Sequence, residues 1–375
     1  MTTLPARTGD PSRATLDGRV LDWMRESNWK EDDARFEELA LDLFAFQYEH
    51  CAPYHRLCQA RNLTPTEVAR WQDIPTVPSA AFKEFSLRCF DETNTVKRFV
   101  TSGTTTQTPG TLYLDNLDIY EASLRASFQR HILPDLQERG GKIRMRILAP
   151  SPGEAPHSSL SHMFGEALRS WGDDRSGFDL RDGQLDTDSL FSELDLAIAE
   201  DTPLLLCGTS FAFVHLLDAM QAASKKIALP EKSRIMETGG YKGRSRELPR
   251  EELVSSLGQA LGVPEGQILN QYGMTECGSQ FYDSSLLHPG EPTCKLSPPW
   301  VRVRLLDPET LKEAAPGETG LIVIYDLANT GSVLALQTAD LGRTRGQDFE
   351  VLGRITDAEA RGCSIGADLL LSDRS

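Results

Sequence analysis

Apolar positions along this chain recur with two periods, and the switches between them sketch the order of its elements. In EDDARFEELALDLFAFQYEH, Phe36, Leu39, Ala40 and Leu43 stand at i, i+3, i+4 and i+7, the stripe of an amphipathic helix. Pro75 and Pro78 in WQDIPTVPSAAFKEF exclude a central strand or a helix interior there, and the residues after them can begin a helix. The middle of the chain then alternates short apolar runs with longer helical patterns: IRMRILAP, DSLFSELDLAIAE, PLLLCGTS, FAFVHLLDAMQAAS. Strand, helix, strand, helix is the rhythm of a largely parallel sheet covered on both faces, so the expected class is α/β. Near the end, WVRVRLLD alternates at Val301, Val303 and Leu305, and LIVIYDL follows the turn-like PGETG, which predicts the strands of a smaller β element. No internal repeat or low-complexity block interrupts the pattern.

Composition narrows the class of partner. At 375 residues with 39% hydrophobic content the chain can bury a large core, so one large body with subdomains is expected. A net charge of -16 disfavours nucleic acid and anionic membranes, because affinity for a polyphosphate backbone comes largely from cationic neutralisation. It leaves room for a nucleotide held locally by amides, hydroxyls and Mg²⁺. The seven cysteines are scattered without CxxC pairs or zinc-finger spacing, which argues against a disulfide framework or a zinc site. The first residues are polar and broken by Pro and Gly, with no apolar signal region, and no stretch approaches the ~20 apolar residues of a membrane span. A cytoplasmic, soluble protein with a loose N-terminus over residues 1–20 is expected.

Chemistry concentrates in a few segments. In VTSGTTTQTPG a strand end runs into a glycine and a cluster of hydroxyls, so that Thr101, Ser102, Gly103, Thr104 and Thr105 offer backbone N–H groups and hydroxyls to one anion. The loop lacks the Walker pattern GxxxxGK[ST]; read alone, it is either a phosphate cradle or a surface turn. A GxSxG elbow is absent, which disfavours a triad hydrolase.

Downstream, NQYGMTECG resembles without a gap the Tyr-Gly-x-Thr-Glu signature of the acyl-adenylate-forming superfamily, the acyl- and aryl-CoA ligases, firefly-type luciferases and nonribosomal-peptide adenylation domains. The resemblance implies that Tyr272 packs near the adenine of ATP, Thr275 contacts the α-phosphate and Glu276 holds Mg²⁺. LQTADLGRTRGQDFEVLGRITD is similar to the Thr-Gly-Asp motif and Gly-Arg-x-x-Asp hinge of that superfamily, which implies Asp340 on the ribose hydroxyls, Arg354 near the nucleotide and Asp357 at the hinge. Taken singly, Asp340 reads equally as a turn residue or helix cap. PGETG, at Pro316 to Gly320, matches a turn that precedes these motifs.

The order IPTVPSAAFKEF, TSGTT, SSLSHMF, TGGYKGR, NQYGMTE, ARGCS resembles most the bacterial bioluminescence acyl-protein synthetases, over about Ile74 to Cys363. Such enzymes activate a fatty acid as its adenylate and pass the acyl group through a cysteine near the C-terminus to a partner reductase; here that position is Cys363, which alone reads equally as an incidental cysteine in a polar tail. Gly239 and Gly240 would let backbone approach the adenine, or simply form a tight turn, with Lys242 and Arg244 nearby. His162 stands where the superfamily lines its acyl pocket, a position that a satisfied core histidine also explains. Two departures stand out: Thr106 replaces a loop glycine and no lysine follows Pro109, with Lys242 as the substitute.

The resemblance thus implies an adenylate-forming body of layered sheets and helices with a small β subdomain over residues 1–352. Residues 353–375 would be a hinge remnant and tail in place of a full C-terminal subdomain. It implies ATP and Mg²⁺ as cofactors, a carboxylic acid as substrate, and a reductase, carrier protein or coenzyme A as acyl acceptor. The alternatives are an acyl-CoA ligase, or a non-catalytic subunit that binds nucleotide or carboxylate.

Overall fold

A computed structural model describes residues 12–101, 108–138, 140–239, 248–346 and 348–355. The chain forms two compact units, one of Met1–Leu124, Met274–Ser279 and Ser297–Ser375, the other of Arg125–Gly273 and Gln280–Leu296.

The second unit contains the expected parallel sheet. Its strands lie in the order Lys295–Leu296, Phe281–Asp283, Ile268–Tyr272, Arg234–Thr238, Leu204–Thr209, Arg144–Leu148, Gly177–Phe178. From Ile268–Tyr272 to Gly177–Phe178 all neighbours are parallel, and the two remaining strands run antiparallel. Arg144–Leu148 and Arg234–Thr238 are buried at every position, their arginines included, as befits strands covered on both faces. Helices Thr187–Ala199, Ser210–Ala222 and Arg250–Leu261 contribute Leu190, Leu194, Phe213, Leu216, Leu253 and Leu257 to one apolar core with Leu204, Leu206 and Ile235. Each side chain of this kind, cut back to Ala, costs ~2–5 kcal/mol. The helix starts are capped as their sequences direct: Asp186 accepts from the Ser189 N–H at 3.1 Å and Thr209 from the Ala212 N–H at 3.1 Å. Gly262, at φ 67°, ends Arg250–Leu261 in the left-handed conformation that favours glycine.

In the first unit, WVRVRLLD and LIVIYDL form the antiparallel pair Val301–Leu306 and Thr319–Asp326, continued by Ala335–Arg345 and Asp348–Arg354. Val77–Pro78 joins beside Leu336–Gln337 as a parallel edge of two residues, the kind of place in a sheet where proline is tolerated. The hydroxyl-rich segment is the connection of a hairpin, Lys97–Val100 paired with Thr111–Leu114. Helix Asp33–His50 carries its predicted stripe inward, with Phe36, Leu39, Ala40 and Leu43 all buried. The N-terminus departs from expectation in part: a helix, Arg13–Met24, takes in residues 13–20 of the stretch read as loose. Its many polar residues hide a second stripe, Leu16, Val20, Trp23 and Met24, at i, i+4, i+7 and i+8, all buried.

Candidate functional site

The Tyr-Gly-x-Thr-Glu segment begins on the last residues of strand Ile268–Tyr272 in the second unit and passes into the first at Met274. There it makes a tight turn in which the Cys277 N–H donates to the Met274 carbonyl at 3.2 Å. Thr275 is half-buried, and Glu276 is buried with 8% of its surface exposed. The turn is held from two sides. Asn329 Nδ2 donates to the Glu276 carbonyl at 3.0 Å, and Asn329 is itself tied to helix Asp33–His50, because Gln47 Nε2 donates to its carbonyl at 2.8 Å. Asp326, fully buried, accepts from the Cys277 thiol at 3.0 Å and from the Ser279 N–H and hydroxyl, each at 2.8 Å. Gly278 is required by close approach: a Cβ there would lie 2.8 Å from Ala328 Cβ.

The neck of the hydroxyl-rich loop rests on this turn. The Thr101 N–H donates to the Gly110 carbonyl at 2.9 Å, and the Gly110 N–H donates back to Thr101 Oγ1 at 2.8 Å. A side chain begun at Gly110 would meet Thr101 Cγ2 at 3.3 Å, Phe82 Cβ at 3.4 Å and Glu276 Oε1 at 3.5 Å. The first unit therefore sets the Glu276 carboxylate directly beneath the closing pair of the loop. Ser102, Gly103, Thr104 and Thr105 themselves lie outside the described residues.

Asp340 and Arg354 complete the cluster. They face each other in register on neighbouring antiparallel strands, and Arg354 Nε donates to Asp340 Oδ1 at 2.9 Å. Burial raises the Glu276 carboxyl above the ordinary carboxylate range; a backbone hydrogen bond, Arg354 and Lys83 oppose the rise, and Asp340 adds to it. A desolvated carboxylate facing a second one is a place where a divalent cation relieves strain in the charge distribution. Among the described residues no group of three or more His, Cys, Asp and Glu side chains is arranged to hold a metal ion. One buried glutamate with a second carboxylate near it fits Mg²⁺ brought in on a polyphosphate, since that ion keeps waters and substrate oxygens and takes only one or two carboxylates.

The remaining predicted residues sit in the second unit or beyond the described residues. Tyr272 is half-buried, its ring 5.9 Å from that of Phe281. The neighbouring Gln271 accepts from the Thr238 hydroxyl at 2.6 Å, which fixes the end of Arg234–Thr238 just before the exposed Gly239. Below it Glu237, 1% exposed, accepts from Ser210 at 2.7 Å, Asn270 at 2.7 Å and Arg250 at 3.2 Å. A cavity of about 120 Å³ opens between these residues and Gly239. His162 lies half-buried on helix Ser159–Trp171, whose Met163 and Phe164 are buried. Gly240, Lys242, Arg244, Asp357 and Cys363 lie outside the described residues. The structure thus gathers Thr101, Glu276, Asp340 and Arg354 in one unit. It adds three residues that the motifs did not reveal. Lys83, the cation of AAFKEF, acts electrostatically on Glu276, and Asp326 and Asn329 hold its turn. The contacts of the last two with the turn span 47 to 53 residues, and no local pattern marks them.

The family model described as acyl-protein synthetase, LuxE, matches residues 11–143 and 178–371. The long-chain-fatty-acid–luciferin-component ligase of Vibrio harveyi is 22% identical over 335 residues, covering 86% of this chain and 84% of its own. Its counterpart from Aliivibrio fischeri is 22% identical over 355 residues, covering 91% and 90%. Among solved structures, an open conformation of 2-hydroxyisobutyryl-CoA ligase in complex with 2-HIB-AMP and CoA superposes with a TM-score of 0.60 at 14% identity, over 86% of this chain and 71% of that one. That likeness shows a shared α/β fold. Among the described residues no helix is long and apolar enough to cross a membrane.

Proposed function

This chain belongs to the LuxE acyl-protein synthetase family, and from that premise we propose that it binds ATP and Mg²⁺, joins a fatty acid to AMP, and passes the acyl group to a thiol. The observation that carries the reading is the convergence of the loop neck at Thr101 and Gly110 on Glu276, beside the Asp340–Arg354 pair. These residues supply, in one unit, the Thr101 hydroxyl as a donor for phosphate, a carboxylate for the metal, and a carboxylate for the ribose.

In this reading Glu276 and the oxygens of the triphosphate hold Mg²⁺, which when bound acts as a Lewis acid on the phosphate oxygens. Thr275 donates to the α-phosphate, and the hydroxyl-rich residues that follow Thr101 in sequence serve the β- and γ-phosphates. Lys83 supplies the cation that the loop lacks after Pro109. Asp340 fixes the ribose and Tyr272 packs near the adenine, so the α-phosphorus is held still for in-line attack by the substrate carboxylate, which expels pyrophosphate. Gly239 and Gly240 admit the adenine by close backbone approach, and His162 lines the acyl pocket. The thiolate of Cys363 then attacks the acyl carbonyl, the bond from that carbon to the phosphate oxygen breaks, and AMP leaves. A fatty acid is the first substrate to assay because both bioluminescence relatives are named for one. The final acceptor is a protein thiol, and the compartment is the cytoplasm.

The test is fatty-acid-dependent exchange of labelled pyrophosphate into ATP, with parallel measurement of labelled acyl group retained on the denatured protein. Wild type performs both; Cys363→Ala keeps exchange and loses the retained acyl group; Glu276→Gln loses both. ATP binding without exchange across fatty, aryl and amino acids would convert the reading to a non-catalytic subunit. Acyl-CoA appearing as fast as the adenylate would convert it to an acyl-CoA ligase.

A further inference from the structure

Asp326 is the last residue of strand Thr319–Asp326 and has no accessible surface. Its carboxylate takes four donors, two at each oxygen. Oδ1 accepts from the Ser279 hydroxyl at 2.8 Å and the Ala328 N–H at 2.9 Å. Oδ2 accepts from the Cys277 thiol at 3.0 Å and the Ser279 N–H at 2.8 Å. Three of these bonds come from residues one and three places after Glu276. The fourth comes from the residue before Asn329, which donates to the Glu276 carbonyl at 3.0 Å. The Ser279 hydroxyl is in turn locked by Trp300 Nε1 at 3.1 Å and by Ser123 at 2.9 Å.

We propose that Asp326 is a positioning residue for the metal site: it touches no reacting atom, and it sets where the Glu276 carboxylate stands by fixing the backbone that follows Glu276 and the segment whose Asn329 holds the Glu276 carbonyl. This rests on the reading of Glu276 as the Mg²⁺ carboxylate.

The chemistry of the acceptor makes the claim sharp. Each oxygen faces one backbone N–H that cannot turn away, Ala328 at Oδ1 and Ser279 at Oδ2. An asparagine of the same shape has one oxygen and one NH₂, so in either orientation its donors confront a fixed backbone donor. The conflict is relieved only by moving Ser279 or Ala328, and either movement is transmitted to Glu276, through the turn or through Asn329. A buried carboxylate satisfied by neutral donors is costly to keep ionised, and burial raises the Asp326 carboxyl above its ordinary range. Retaining it there makes sense if the turn needs an acceptor on both sides. Groups that orient a metal-bearing carboxylate without touching the metal govern affinity by about 10- to 100-fold when changed.

The experiment titrates Mn²⁺ into the ATP complex and follows water-proton relaxation, with ATP binding measured separately in EDTA and the folded fraction by thermal melting. Asp326→Asn is expected to weaken Mn²⁺ binding about 10-fold, in the range for groups that orient a metal ligand, while ATP affinity in EDTA stays at the wild-type value. Ser279→Ala, which keeps the charge and deletes one donor, is expected to shift in the same direction by less, and it decides the matter if Asp326→Asn does not fold. Unchanged Mn²⁺ binding in the folded variant, with Glu276→Gln weakened, overturns the positioning role alone. Glu276→Gln with unchanged Mn²⁺ binding overturns the reading of Glu276 and the inference with it. A fall of ATP affinity in EDTA parallel to the loss of Mn²⁺ assigns Asp326 to the general fold and also overturns the inference.

Discussion

Arg354 Nε lies 2.9 Å from Asp340 Oδ1, across a ladder in which the two residues are direct partners. The carboxylate is buried while the arginine side chain is 79% exposed, so a buried acceptor is oriented by a cation reaching in from solvent. If Asp340 accepts from the ribose, the 2′-hydroxyl is one of the donors it reads. Hydrogen bonds to a charged group contribute about 1.5–3 kcal/mol, so Asp340→Ala should weaken ATP binding by roughly 10-fold or more. Wild type should prefer ATP over 2′-deoxy-ATP in calorimetry, and the variant should lose that preference. A preference that survives the substitution would remove Asp340 from the ribose.

Lys83 bears on Glu276 and on the phosphates together. It sits in the four-residue helical turn Ala81–Glu84, directly after Phe82, whose Cβ borders the would-be side chain of Gly110. Because Lys83 lowers the Glu276 carboxyl against the dominant effect of burial, Lys83→Ala should let it rise further. Glu276 must be ionised to hold a metal, so the acid limb of pyrophosphate exchange should move to higher pH in the variant, and return towards lower pH as Mg²⁺ is raised. ATP affinity should fall by about 10-fold, the effect of losing one charge-assisted contact, with AMP affinity unchanged. Equal losses for ATP and AMP would mean that Lys83 does not serve the β- and γ-phosphates.

What could be read from the chain follows the range of the forces involved. Leu204–Thr209 and Arg144–Leu148 were legible because a strand covered on both faces writes its burial into consecutive residues. Tyr272, Thr275, Glu276 and Asp340 are singled out only by resemblance, since nothing in a local polar turn declares its ligand. The helix Arg13–Met24 was missed because its stripe is narrow and its composition polar; only packing distinguishes it from a loose arm. Asp326 was beyond reach for another reason: its partners at Cys277 and Ser279 are 49 and 47 residues away in sequence. Local pattern carries no information about a contact of that span. Lys83 illustrates the same limit: its effect on Glu276 joins positions far apart in sequence, while Lys242, the expected substitute for the loop lysine, lies outside the described residues.

The second unit contains a pH-dependent element unrelated to the nucleotide. His131 is 1% exposed, its Nδ1 lies 2.8 Å from the Ser127 carbonyl, and its ring stacks on Tyr282 at 5.7 Å. Burial lowers its pKa to about 4, with Arg130 and His288 adding to the fall and the Ser127 carbonyl opposing it. A histidine in the unfolded chain titrates near 6.5, so between about 6.5 and 4 the unfolded state binds the extra proton and the folded state does not. The contribution of neutral His131 is therefore complete above about pH 6.5 and is lost as the pH falls towards 4. At ~1.4 kcal/mol per pH unit the loss amounts to roughly 3 kcal/mol. His131→Phe keeps a ring against Tyr282 and has no proton to bind. Urea unfolding at pH 7 and pH 4 should show the variant losing about 3 kcal/mol less than wild type across that interval, whatever its stability at pH 7. Identical losses in the two proteins would mean that His131 is protonated in the folded state as readily as in the unfolded one.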